Sequence, residues 1–322
     1  MHPTSTGTGT PGSSFRAAVI GTGAMAPGIA AEYARLGPTA LVGRDAGRAD
    51  AALAVARHAL DTLAAAGLLP PDEAATAAAN LSATTLMDAD FRAVSLVSES
   101  ITEDLAAKRT LFARLDAEAP ADALLCSNTS SLRITAIADG LTHPERVVGT
   151  HYWNPPHLMP LVEVIPGERT DEACTVRVIA LLERIGKEPV QVRREVPGFI
   201  WNRLQTALLR ECLWLVAEGV ATPAEIDRIM ERGLGRRWSL TGPFTSVRLG
   251  GPHVYARVAE ELFPQFAAEP AFVDGWRDIL TASRPDVDVN AVRARREAAL
   301  VALRRADLGG EDLPQRHREH KE

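Results

Sequence analysis

The sequence predicts an α/β N-terminal domain followed by a separate all-α C-terminal domain. As far as residue 192 the chain alternates short apolar runs with helical patterns, as expected of strands and helices built into parallel crossover units. Beyond Pro197-Gly198-Phe199 the strand-like runs stop, and only long amphipathic helical patterns remain. A length of 322 residues suits two domains with a substantial core. The expected division is a disordered leader over 1–14, an α/β domain over 15–196, a helical domain over 197–308 and a charged tail over 309–322.

The leader is Thr, Ser, Gly and Pro, a composition with nothing to bury. Phe15 to Ile20 is a short apolar run expected as a buried parallel strand. It runs into G-T-G-A-M-A-P-G over residues 21–28 and then a helical pattern over Ala24 to Leu36. Strand, glycine turn and helix in that order make a Rossmann-type dinucleotide site. Gly21 permits the tight turn, and Gly23 lets the backbone approach a pyrophosphate. Ala24 and Met25 complete the turn, Ala26 is small enough for close helix–strand packing, and Gly28 follows within the helix.

Ala40 to Val42 reads as the second strand, ending in Gly43-Arg44-Asp45. The position that ordinarily carries an acid for the ribose hydroxyls of NAD is glycine here, and arginine follows it. A guanidinium pairs with a 2'-phosphate, so NADP(H) is the preferred cofactor, with NAD(H) as the alternative if Asp45 turns back toward the ribose.

Helical patterns follow over Asp45 to Leu69 and Asp72 to Ala79, separated by Pro70-Pro71, and Leu81 to Thr85 reads as a strand. Ala93 to Val97 is β-rich, Ile101 to Leu115 is helical, and Ala123 to Cys126 is a strand opening on S-N-T-S-S. Ile134 to Asp139 is a short helix, and Val147 to Thr150 and Leu161 to Ile165 are strands. Thr170 to Ile185 is helical, and Pro189 to Val192 is the last strand of this domain. In the second domain the helices are Ile200 to Glu218, Pro223 to Glu231, Val254 to Leu262 and Val289 to Arg305. Thr222 followed by Glu225 predicts a capping box. The apolar faces of these helices suggest a homodimer.

Chemistry concentrates between Ser127 and Glu163, a stretch that is polar where a purely structural segment would be apolar. Ser130, His151, Asn154 and Glu163 follow or occupy short strands, where sites of open α/β sheets lie. His151 is the residue suited to moving a proton near neutral pH, and Glu163 on its far nitrogen would fix the tautomer and favour the imidazolium. Such a dyad serves reversible oxidation of an alcohol with hydride going to a nicotinamide. A histidine among aromatics and prolines also occurs as a packed loop residue, and the nucleotide fingerprint of the same domain favours the dyad.

Composition sets limits. A net charge of −6 without long like-charge blocks argues against nucleic-acid binding. No apolar run reaches about 18 residues, so no membrane span is expected. Cys126, Cys174 and Cys212 are far apart and odd in number, which suits a reducing cytoplasm. No metal-ligand spacing stands out. Lysine is scarce beside arginine: Lys108, Lys187 and Lys321 are the only three.

From Arg16 onward the chain resembles the 3-hydroxyacyl-CoA dehydrogenase superfamily. The matching motifs are V-I-G-T-G-A-M-A-P-G-I-A, S-I-T-E-D-L-A-A-K-R-T-L-F, S-N-T-S-S-L, E-R-V-V-G-T-H-Y-W-N-P-P and P-G-F-I-W-N-R-L. G-L-G-R-R-W-S-L-T-G-P-F-T-S-V-R-L-G-G and the later W-R-D-I-L are similar to the branch of L-gulonate 3-dehydrogenase (lambda-crystallin) and carnitine dehydrogenase, which acts on free 3-hydroxy acids.

The resemblance implies His151 as general base, Glu163 as its partner, Ser130 and Asn154 on the reacting oxygen, and Asn202 reaching into the cleft. It places Glu99 beside the nicotinamide side of the cofactor and matches Lys108 to a recurrent lysine, which could also be a solvated helix position. Arg237, with Arg236, matches the free-acid branch and suits a carboxylate. Trp153, Trp201 and Trp238 would line an aromatic pocket for a bulky substrate. Where the family carries lysines for coenzyme A, this chain has Ala65-Ala66-Gly67-Leu68-Leu69. The implied activity is interconversion of a 3-oxo and a 3-hydroxy acid with NADPH. The alternatives are a true 3-hydroxyacyl-CoA dehydrogenase acting on a thioester, a ketoreductase of an aromatic polyketide pathway, or a non-catalytic crystallin-like protein.

Overall fold

A computed structural model describes residues 15–266, 274–282 and 287–309. The expected leader and the tail from residue 310 lie outside them. The chain divides into two compact units between Ile200 and Trp201, and the described residues from Ala294 onward cluster with the first.

The first unit contains, in chain order, β1 (Ala17–Ile20), α1 (Ala26–Ala34), β2 (Thr39–Gly43), α2 (Ala46–Ala65), α3 (Pro71–Asn80), β3 (Leu81–Thr85), β4 (Leu96–Glu99) and α4 (Leu105–Glu118). It continues with β5 (Leu124–Ser127), α5 (Ile134–Ile137), β6 (Val147–Tyr152), β7 (Leu161–Pro166), α6 (Glu172–Arg184) and β8 (Glu188–Gln191). The eight strands form one sheet in the order β3-β2-β1-β4-β5-β6-β7-β8. All neighbours are parallel except β6 and β7, so the last two strands run against the other six.

β1, β4 and β5 are buried at every position, because helices cover both faces of a parallel sheet. One face packs Leu41, Leu96 and Leu124 against α1, α2 and α6. The other packs Ile20, Val97 and Leu125 against Phe112 and Leu115 of α4 and Ile134 of α5. α1 is buried along its whole length, which its Ala- and Gly-rich sequence permits.

α4 begins at Leu105, four residues later than the periodicity predicts. Asp104 caps it by accepting from the Ala107 N–H at 2.8 Å, and the Ile101 N–H is drawn to the Glu99 carboxylate at 2.7 Å. The Asp104 cap takes an N–H group that a start at Ile101 would have placed inside the helix, and so sets the boundary.

The second unit is helical: α7 (Trp201–Ala217), α8 (Pro223–Ile229), α9 (Gly235–Trp238), α10 (Pro243–Gly250), α11 (Pro252–Leu262) and α12 (Trp276–Ala282). Thr222 and Glu225 form the expected capping box on α8, and a π-helical turn over Met230–Leu234 leads to α9. Among the described residues of this unit only Leu213 and Ser246 are buried. The last helix, α13 (Val289–Gly309), places Leu300 and Val301 against the core of the first unit, where Arg304 donates to the Gly186 carbonyl and Arg305 to the Ala66 carbonyl.

Candidate active site

The turn between β1 and α1 fits a dinucleotide. Gly21 has φ 133°, and a β-carbon there would run into the Ser100 carbonyl, so only glycine suits the position. A β-carbon on Gly23 would meet no protein atom within 4 Å, leaving the backbone open to a pyrophosphate at the amino end of α1. Ala24 is exposed beside it, Met25 packs partly on the core, and Ala26 is buried. Gly28 lies where a β-carbon would press on Pro156 and His157 at 3.1–3.3 Å. The helix therefore sits tightly on the loop after β6.

At the end of β2, Arg44 is exposed. Asp45 does not turn back: its Oδ1 caps α2 by accepting from the Arg48 N–H at 2.9 Å, and its Oδ2 is 3.4 Å from the Arg48 guanidinium. At Gly43 a β-carbon would lie 3.0 Å from both the nitrogen and the β-carbon of Ala49, so the first turn of α2 closes over this position.

The proton-handling pair is set by strand register. In the antiparallel pairing of β6 and β7, His151 lies directly opposite Glu163. Cross-strand neighbours on one face put their β-carbons about 5 Å apart, within reach of these two side chains. His151 Nδ1 and Glu163 Oε2 are 2.7 Å apart, and both residues are buried. With the carboxylate as acceptor, Nδ1 carries the hydrogen and Nε2 is left for chemistry.

Glu163 Oε1 accepts from the Ile200 N–H at 2.9 Å. That N–H is presented by a turn in which Gly198 and Phe199 both have positive φ, 77° and 51°. The left-handed region is unfavourable for a bulky residue, at a cost on the order of 1–3 kcal/mol. Full burial of Phe199, with its ring centroid 5.7 Å from that of His151, holds it there.

Glu99 and Lys108, expected among the cofactor contacts, are fully buried and paired with each other at 2.5 Å. The other Glu99 oxygen accepts from Ser127 Oγ at 2.6 Å. Buried at this junction, Lys108 is not a solvated helix position. The pair joins the ends of β4 and β5 beneath the S-N-T-S-S turn.

Sequence reasoning missed the residue that shapes this turn, Glu103. One of its oxygens accepts from Thr129 Oγ1 at 2.6 Å, the Ser130 N–H at 3.0 Å, and the Ser131 N–H and Oγ both at 2.9 Å. Its other oxygen is 3.5 Å from Lys108 Nζ. Burial would raise this carboxyl, but the bonds from Thr129 and Ser131 and the Lys108 charge outweigh burial and lower it. Asn128 was missed as well: its Oδ1 accepts from the Tyr152 N–H at 2.9 Å, fixing the end of β6.

Ser130 and Asn154 are exposed on the loops after β5 and β6, which are neighbouring parallel strands. The Asn154–Pro155 bond is cis, and Trp153 beside it is half-buried. The second unit carries the remaining expected residues: Trp201 and Asn202 start α7, and Arg236, Arg237 and Trp238 lie exposed on α9. Cys126, within β5, is fully buried, and burial pushes its thiol up to about 12.

Residues 16–196 match the family model for the 3-hydroxyacyl-CoA dehydrogenase NAD binding domain, and residues 198–278 match that for the 3-hydroxyacyl-CoA dehydrogenase C-terminal domain. The chain is similar to 5-formyl-3-hydroxy-2-methylpyridine 4-carboxylate 5-dehydrogenase of Mesorhizobium japonicum, at 32% identity over 91% of this chain and 98% of the relative. It is 39% identical to an L-carnitine dehydrogenase of Streptomyces griseus over 73% of this chain and 70% of that one. It spans about half the length of other carnitine dehydrogenases that it matches. Among solved structures, it superposes with a TM-score of 0.83 and 29% identity on a 5-formyl-3-hydroxy-2-methylpyridine 4-carboxylic acid 5-dehydrogenase described as an NAD+ dependent dismutase, covering 92% of this chain and 98% of that one.

Proposed function

The chain belongs to the 3-hydroxyacyl-CoA dehydrogenase family and is an oxidoreductase with a nicotinamide cofactor, and from that premise we propose that it interconverts a 3-oxo acid and a 3-hydroxy acid, taken as the free acid and reduced with NADPH. The observation that carries the reading is the His151–Glu163 pair, buried and 2.7 Å apart. The nicotinamide, when bound, supplies the hydride. In the reductive direction His151 donates the proton from Nε2 to the substrate oxygen, while Glu163, held by the Ile200 N–H, stabilises the charged ring. Ser130 and Asn154 donate hydrogen bonds to that oxygen as charge develops on it, and Asn202, at the start of α7, is proposed as a further donor.

Arg236 and Arg237 are proposed to hold the substrate carboxylate, and Trp153, Trp201 and Trp238 to surround its body. The relative matched over nearly its full length acts, by name, on a pyridine carboxylate, which supports a planar, bulky acid. The absence of lysine between Ala65 and Leu69 supports a free acid over a coenzyme A thioester. Exposed Arg44 beside the Gly43 gap, with Asp45 committed to its cap, supports NADPH.

A homodimer is proposed from the apolar side chains that the helical unit leaves exposed, among them Leu240, Phe244 and Leu249. The compartment is proposed to be the cytoplasm. Its support is three free cysteines, and no helix among the described residues is long and apolar enough to cross a membrane.

The test is catalytic efficiency on one 3-oxo substrate offered as free acid and as coenzyme A thioester, each with NADPH and NADH. Preference for the free acid with NADPH is the expected outcome. Preference for the thioester hands the site to the acyl-CoA reading, and absence of turnover on any such substrate hands it to a crystallin-like role.

A further inference from the structure

Two of the three lysines in this arginine-rich chain, Lys108 and Lys187, are buried. An arginine fork needs room and planar partners, whereas an ammonium is a compact point charge with three donors that suits a crowded junction. Lys187, at the entry to β8, uses all three donors. Its Nζ donates to Glu32 Oε1 of α1 at 3.0 Å, to the Pro156 carbonyl at 2.7 Å and to the Met159 carbonyl at 3.2 Å. The other Glu32 oxygen accepts from Arg35 Nη1 at 2.7 Å, and that nitrogen also donates to the Ile185 carbonyl at 2.7 Å. Burial lowers Lys187, and the Glu32 charge and hydrogen bond oppose that change.

An apolar pair of similar volume would stabilise the fold at least as well as a buried ion pair. What an apolar pair cannot do is hold a carboxylate and two carbonyls in one geometry. The three partners belong to the helix whose amino end faces the cofactor and to the loop that follows Asn154. Gly28 closes the same contact from the helix side, against Pro156 and His157.

We propose that Lys187 is a positioning residue: with Glu32 it ties the nucleotide helix to the loop after β6, so that the donor on Asn154 keeps a fixed place relative to the bound cofactor. The proposal rests on the reading of Asn154 as a donor to the substrate oxygen. It says why a charged pair sits in the core of this unit, and it predicts that the Lys187 effect passes through Asn154.

The test is a double-mutant cycle of Lys187→Met and Asn154→Ala, measured as kcat and as KM for the nucleotide. Lys187→Met alone is expected to lower kcat about 10²-fold, the scale of a roughly 1 Å misplacement, with nucleotide KM changed less than about threefold. In the double variant kcat is expected to fall no further than in Asn154→Ala alone, since a donor already removed cannot be misplaced. Multiplicative losses, or a Lys187→Met enzyme with lower Tm and unchanged kcat, would overturn the proposal and leave the functional reading standing. Unchanged turnover in Asn154→Ala overturns the assigned role of Asn154 and the proposal with it, whereas unchanged turnover in His151→Ala removes the functional reading itself. If Lys187→Met does not fold, Glu32→Gln enters the same cycle: it loosens the tie without emptying the site, and the same non-additivity is required of it.

Discussion

The two units of this molecule bury their side chains in different ways. The first closes its own accounts: Glu99, Glu103, Lys108, Glu163 and Lys187 each have charged or hydrogen-bonding partners within the unit, and the sheet is apolar on both faces. The second has well-formed helices, down to a complete capping box, yet buries only Leu213 and Ser246 among its described residues. Helix formation is a local matter of caps and periodicity, whereas burial needs a partner surface. The comparison separates a unit whose candidate site is fixed by its own contacts from one whose described residues leave large apolar side chains exposed.

The strongest way to break this contrast is to show that the preset site does no chemistry. His151→Ala is expected to lower turnover roughly 10²–10⁴-fold while nucleotide binding, followed by fluorescence titration, is retained. A nearly unchanged rate would put the reaction elsewhere. Glu163→Gln sharpens the point, because an amide offers one acceptor oxygen for two donors, the His151 ring and the Ile200 N–H. Turnover and Tm are both expected to fall, with about 1–3 kcal/mol of stability lost for the donor left unpaired.

The other side of the contrast is tested at Phe244, which is 87% exposed. If a second copy covers it, Phe244→Asp forfeits the burial of one large apolar side chain, about 1.5–3 kcal/mol. Because both protomers of a symmetric dimer carry the substitution, the dimer Kd is then expected to rise roughly 10²- to 10⁴-fold in sedimentation equilibrium. A wild-type protein that sediments as a monomer at micromolar concentration removes the homodimer. A smaller effect is expected at the cofactor end of the first unit. Arg44→Ala should lower the ratio of kcat/KM for NADPH over NADH about tenfold, the scale of one charge-assisted hydrogen bond. An unchanged ratio would mean that Arg44 does not meet the phosphate.

Much of the first unit was legible in the sequence because its signals are local. The glycine turn, the short apolar runs and the polar S-N-T-S-S and H-Y-W-N segments each announce themselves within a few residues. The pairing of His151 with Glu163 could be expected from residue types, but the reversal of β7 that sets them opposite each other has no local signal. Glu103 was passed over because I-T-E-D-L-A-A-K reads as the start of a helix, while its carboxylate in fact serves a turn more than 20 residues away. Lys108 was open to a solvated reading because lysines are rarely buried. The scarcity of lysine was the available clue, since a chain that uses arginine on its surface keeps an ammonium where a point charge is required. The boundary motif P-G-F showed where the strands end, but not that its left-handed turn presents a donor to Glu163.

The finest comparison sets two glutamates against each other. Glu103 in the first unit and Glu225 in the second both have their carboxyls lowered by hydrogen bonds, from Thr129 and Ser131 against the opposing effect of burial in one case, and from Thr222 in the other. A carboxyl lowered in the folded state adds stability that is fully present above its unfolded value of about 4.3 and is lost as pH falls through the folded value. For Glu103, partly exposed but bonded to three residues of the serine-rich turn, the Tm gap between wild type and Glu103→Gln is expected to be a few degrees at neutral pH and to close as pH falls below the unfolded value. For Glu225, fully exposed on a helix end, water and salt screen the interaction, and Glu225→Gln is expected to show no comparable pH-dependent gap. Equal gaps in the two variants would mean that the turn carrying Ser130 is held no more firmly than an exposed helix cap, and the first unit would lose its claim to a preset site.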